Sequence, residues 1–205
     1  MYTLSYVLYG IGGVAVLILL GFTIALFKKK GTAKINKIAI LISVLVAVAS
    51  FGYGGYHQYD INQTIEAADD EFADNAEKFT KLYKATYDDI EESGNSIKDS
   101  WAKGIVDAAA DDEEADITSI VEEALVDNQE NIDNSTTNIH KLKKYLDTMN
   151  DYDTGEYDYG AYNKAYKRLN SLINYVSDPS GSLNSYSDKL DTLVSDVDDA
   201  YKDIE

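Results

Sequence analysis

Two uncharged apolar runs, Leu4 to Phe27 and Ile38 to about Tyr56, enclose five lysines at positions 28, 29, 30, 34 and 37, and every acidic residue follows the second run. A bilayer's hydrocarbon core takes roughly 20 residues of helix to cross. At 24 residues the first run exceeds that length, and at 19 the second just meets it. Positive charge beside membrane spans stays on the cytoplasmic side. The pattern therefore predicts a transmembrane hairpin over residues 1–58, with spans at about 4–27 and 38–56 and a cytoplasmic loop at 28–37. The N-terminus and residues 59–205 are then extracellular, making a multi-pass protein of the cell membrane. A cleaved signal peptide fits the first run less well: no basic residue precedes it, no small-x-small site ends it, and its apolar stretch is too long.

Charge divides along the same line. Residues 1–59 hold five lysines and no acid, a net +5, whereas the remainder holds 13 basic and 36 acidic residues, a net −23. An outer domain this acidic repels phosphate backbones and anionic headgroups, which argues against nucleic acid as a partner and for basic proteins, cations or apolar grooves between helices. Cysteine is absent, so the outer domain must stand on packing without disulfides, and no thiol is present for lipid attachment. A domain of about 150 residues buries roughly two thirds of its unfolded surface, enough for that purpose.

Tyr2, Tyr6 and Tyr9 begin the first span, and Tyr53, Tyr56 and Tyr59 end the second. Tyrosine favours the interface, where its ring is shielded and its hydroxyl is wet, so both clusters belong at one membrane surface. Ala39, Ser43 and Ala47 recur every fourth residue, as do Gly21 and Ala25, and small residues so spaced let helices approach closely. Packing of the two spans explains them better than a pore does, because neither span carries an ionisable side chain. The hairpin reads as an anchor.

Beyond the anchor, Gly52, Gly54 and Gly55 predict a bend or a loosened helix. Ile65, Ala68, Phe72, Ala76, Phe79, Tyr83, Thr86 and Ile90 then step by three and four, and Gly94 with Asn95 predicts that helix's end. Ile97, Trp101, Ile105 and Ala108 predict a shorter helix, closed by the acidic run Asp111 to Asp116. The next stripe drifts near Asn128, where Ile117, Val121 and Ala124 give way to Ile132, Ile139, Leu142, Leu146 and Met149, predicting a kink or break. Asn150 to Gly160 reads as a loop. Tyr162, Tyr166, Leu169, Ile173 and Val176 form a further stripe up to Pro179, and Leu183, Tyr186, Leu190, Leu193, Val197, Ala200 and Ile204 form the last. Stripes of this kind bury one another, so the fold class is all-α: the hairpin followed by an antiparallel bundle of four to five helices.

Two segments carry a resemblance. The isolated tryptophan in Ser100, Trp101, Ala102, Lys103, Gly104, Ile105 and the turn Asp178, Pro179, Ser180, Gly181, Ser182, Leu183 are similar to those of a group of uncharacterised extracytoplasmic helical proteins of Gram-positive bacteria. The resemblance covers residues from about Asp60 to the end and implies an external helical fold. It implies no mechanism. Where that group has a short proline-containing connection, this chain has the tyrosine-rich loop Asp151 to Gly160.

Candidate chemistry is sparse. Asp151, Asp153, Glu156 and Asp158 crowd one loop, but Gly155, Glu156 and Tyr162 stand where an EF-hand needs an oxygen ligand, a glycine and a bidentate acid. The two histidines, His57 and His140, have no cysteine beside them and no nucleophile motif around them. No metal, cofactor or catalytic residue is implied, and the chain reads as a non-enzyme. Trp101 reads as core, with a partner-binding anchor as the alternative. Tyr152, Tyr157 and Tyr159 stand in a polar loop, so with Trp101 they are the candidate partner-binding residues. The expectation is a membrane-anchored interaction module that binds protein. A phage-exclusion or immunity factor at the cell surface, and a sensory domain acting with a separate membrane partner, are the alternatives.

Overall fold

The computed structural model describes residues 3–28, 33–110 and 116–205, except the side chains of residues 26 and 33–36. Lys29, Lys30, the Lys34 side chain and the acidic run 111–115 lie outside that description. The described chain is all-helical, with no strand: α1 (Thr3–Phe27), α2 (Ala33–Ala110), α3 (Ile117–Asp127), α4 (Gln129–Asp151), α5 (Tyr159–Ser177) and α6 (Leu183–Lys202). It divides into two compact units, Met1–Ala67 and Ala68–Glu205, and α2 contributes to both.

In the first unit α1 and the start of α2 are each long and apolar enough to cross a membrane, with mean hydropathy 2.3 and 2.1. They lie antiparallel. Ser5 Oγ is 3.2 Å from His57 Nδ1, and the Tyr9 and Phe51 rings stack at 6.2 Å. Glycine makes the close approach possible, since a Cβ on Gly12 would stand 2.9 Å from the Phe51 ring and one on Gly54 would stand 3.2 Å from the Tyr9 ring. The seam between the helices buries Ser5, Ala15, Ser43, Ala47 and Ser50. Ser43 and Ala47 thus fall where their spacing predicts. Gly21 does not: it is exposed, with nothing within 4 Å of where its Cβ would be. The register set by the ring-on-glycine contacts draws the α1 side of the seam to Ser5, Gly12 and Ala15.

Gly52, Gly54 and Gly55, where a bend or a loosened helix is predicted, do not interrupt the helix, since α2 runs through all three. Glycine inside a helix costs only about 1 kcal/mol relative to alanine, less than neighbouring packing supplies. The predicted helix end at Gly94 and Asn95 is overturned. Gly94 is buried in mid-helix, where a Cβ would meet Leu190 Cδ1 at 2.7 Å and Val176 Cγ2 at 3.1 Å. Its missing side chain lets α2, α5 and α6 converge.

The second unit is an antiparallel bundle of four legs: α2 beyond Ala67, α3 with α4, α5, and α6. Along α2 and α6 the contacts run in opposite order. Thr80 Oγ1 donates to the Ile204 carbonyl (3.2 Å), Tyr83 Oη to that of Val197 (3.2 Å), and Tyr186 Oη to that of Gly94 (3.3 Å). Ion pairs Lys164–Asp203 (2.7 Å) and Arg168–Asp196 (2.9 Å) fix the same sense between α5 and α6. The second leg breaks at Asn128, where the stripe drifts. Asn128 ends α3 and begins α4, and its Nδ2 donates to the Ala124 carbonyl (2.8 Å) and to Ser96 Oγ on α2 (3.1 Å). The core takes the predicted stripes, among them Phe72, Phe79, Tyr83, Leu142, Leu169 and Leu190, all fully buried. Burying a side chain of this size contributes about 1.5–3 kcal/mol.

Candidate functional site

The tyrosine loop is shorter than predicted, since α4 continues to Asp151 and α5 starts at Tyr159. Two of its carboxylates are occupied by the backbone. Asp153 Oδ1 accepts from the Gly155 N–H (2.9 Å) and Asp158 Oδ1 from the Ala161 N–H (3.1 Å), so one shapes the turn and the other caps α5. Gly155 sits at φ 85°, a left-handed conformation that favours glycine. Thr154 hydrogen-bonds Asp69 and ties the loop to α2.

The three tyrosines have different environments. Tyr157 stacks on Phe72 with ring centroids 4.7 Å apart and planes 5° from parallel. Phe72 is fully buried while Tyr157 is 40% exposed, so Tyr157 is a lid on the core. Tyr159 opens α5 and packs against the core, and burial raises its hydroxyl's pKa. The expectation that the three stand together in a polar loop is therefore corrected for Tyr157 and Tyr159, which pack on the core. Tyr152, 42% exposed and just past the end of α4, remains a freely presented ring.

Trp101 is in the core, 3% exposed. It lies 5.7 Å from the Tyr186 ring, which stacks on Tyr175 at 5.2 Å. Burial holds the Tyr186 and Tyr83 hydroxyls well above the usual phenol range. An edge of Trp101 nevertheless lines a cleft of about 370 Å³ between α3 and the α5–α6 turn. One wall is the half-buried stripe Ile117, Val121 and Leu125 on α3, and the other is the turn 178–181. Trp101 and the Asp-Pro-Ser-Gly turn, widely separated in sequence, thus meet at one place.

Local chemistry shapes both walls of the cleft. Asp116 caps α3, accepting from the Ser119 N–H (3.2 Å) and hydroxyl (2.9 Å), and these bonds hold its carboxyl below the usual range. Ile120 lies close over Gly104, where a Cβ would be 2.6 Å from its Cδ1. Across the cleft Gly181 turns at φ 91°, and Ser182 and Ser185 form a reciprocal capping box at the start of α6. Ile117 and Val121 lie on the stripe read from the sequence, and Leu125 completes the cleft wall off that stripe. Its apolar side chain was the available signal.

Of the two histidines, His57 in the first unit pairs with Ser5, and His140 in the second is exposed on α4. Compared with known proteins, the chain matches no family model, no curated protein sequence and no solved structure.

Proposed function

We propose that this chain is a membrane-anchored interaction module. In this reading α1 and the first part of α2 cross the bilayer as a hairpin, residues 28–37 face the cytoplasm, and the acidic bundle stands outside and binds a partner protein. One observation carries it: the hairpin's helices turn large apolar side chains outward, with Leu17 68%, Val48 67% and Leu41 61% exposed, while the bundle turns them inward. An apolar surround for the first unit satisfies both. The lysine cluster supports the orientation through the preference of positive loops for the cytoplasm.

The reading assigns no reaction to the chain. A photo-crosslinking residue placed at an exposed bundle position, such as Tyr152 or Glu122, tests it in intact cells. The module predicts one recurring protein adduct whose yield depends on the position chosen. Adducts only to lipid or to the chain itself contradict it.

A further inference from the structure

We infer that the cleft between α3 and the α5–α6 turn docks a cationic peptide segment of the partner, with an aliphatic side chain seated against Trp101. The inference rests on the interaction-module reading and specifies its site and the partner's chemistry. Three features choose the occupant.

The first is size and lining. About 370 Å³ lies at the small end of the range for ligand sites, about 300–1,000 Å³, and suits one inserted side chain and its flanks. Ile117, Val121, Leu125 and the edge of Trp101 offer it an apolar seat. The second is charge. Among the described residues, the charged ones lining the cleft are Glu122 and Asp178, both acidic and both exposed, one on each wall. An incoming segment meets a carboxylate on either side of the apolar seat, which matches an aliphatic residue flanked by lysine or arginine. The net −23 of residues 60–205 draws cations toward the domain and turns away phosphate polymers and anionic lipid. The third is rigidity. The capped start of α3 and the Ser182–Ser185 box hold both walls in place, so docking loses little ordering entropy. The larger apolar groove of about 680 Å³ beside Val14 and Ile42 in the hairpin has, among its described lining residues, no charged group with which to select an occupant.

The test uses the full chain in bicelles of zwitterionic lipid and three capped peptides: Lys-Leu-Lys, Lys-Ser-Lys and Glu-Leu-Glu. Calorimetry gives affinity, and emission from Trp101, the single tryptophan, reports the location. Lys-Leu-Lys should bind saturably and change Trp101 emission. Lys-Ser-Lys should bind about tenfold or more weakly, having lost the buried aliphatic group, and Glu-Leu-Glu should not bind. Glu122→Lys, an exposed substitution on a capped helix, should weaken Lys-Leu-Lys about threefold to fivefold, with Glu122→Gln intermediate. A Kd above about 1 mM for Lys-Leu-Lys, equal binding of Glu-Leu-Glu, or indifference to Glu122→Lys overturns the assignment. If the peptides are ignored while crosslinking still captures a protein, the module reading stands and this cleft is not its site.

Discussion

The hairpin and the bundle use opposite packing rules on one chain, and α2 obeys both in turn. Between α1 and α2 the buried residues are small, Ser5, Ala15, Ser43, Ala47 and Ser50, and large ones such as Leu17, Leu41 and Val48 point away. Within the bundle Phe72, Tyr83, Tyr186 and Leu190 are inside, and lysine–carboxylate pairs such as Lys78–Asp74 and Lys103–Asp107 decorate the outside. The difference teaches what drives each association. In water, burying large apolar groups is favourable, so they gather within. In the apolar surround proposed for the first unit that drive vanishes, and close backbone contact through small residues takes its place.

Unfolding of the full chain in detergent, followed by Trp101 emission, can break or sharpen this contrast. The largest effect pairs two identical changes. Leu190→Ala removes a fully buried side chain and should cost about 2–5 kcal/mol. Leu17→Ala, on a residue 68% exposed, should change bundle stability by less than about 0.5 kcal/mol. Similar losses at both sites would erase the distinction. Next is Gly94→Ala, whose Cβ would press on Leu190 at 2.7 Å and should cost about 1–3 kcal/mol. Gly52→Ala, with nothing within 4 Å of the new methyl, should be neutral or slightly stabilising.

A smaller effect is tied to pH. Burial raises the Tyr83 pKa in the folded bundle above the usual phenol value near 10, so above that pH the unfolded chain loses the proton first. The Tyr83 contribution is therefore fully present below about pH 10 and lost as pH rises further. Tyr83→Phe should cost about 0.5–1.5 kcal/mol near neutrality, through the lost bond to the Val197 carbonyl, and should flatten the alkaline loss. A slope unchanged by the substitution would rule Tyr83 out as its source. Smallest are the loop tyrosines. Tyr157→Ser should cost about 1 kcal/mol by uncovering Phe72, whereas Tyr152→Ser should leave the midpoint unmoved.

The bundle's periodicity was legible because burial forces it: Phe72 to Ile90 on α2 and Tyr186 to Ile204 at the end lie inward as their spacing predicts. The glycines misled, for a physical reason. Gly54 and Gly94 occur where another helix presses against the backbone, and a sequence does not distinguish a glycine that permits approach from one that ends a helix. The break at Asn128 showed because a stripe cannot change neighbours without drifting. The cleft was half visible. Trp101 and the Asp-Pro-Ser-Gly turn were singled out separately, but their meeting depends on tertiary contacts that local spacing does not encode.

The proposed orientation is open to one direct measurement, made simple by the absence of cysteine. Single cysteines at Ser171, exposed on α5, and at Gly31, among the lysines, are labelled on whole cells with a membrane-impermeant maleimide. The account predicts that Ser171→Cys reacts at once and Gly31→Cys reacts only after lysis. Labelling of Gly31→Cys on intact cells, with Ser171→Cys protected, would contradict it.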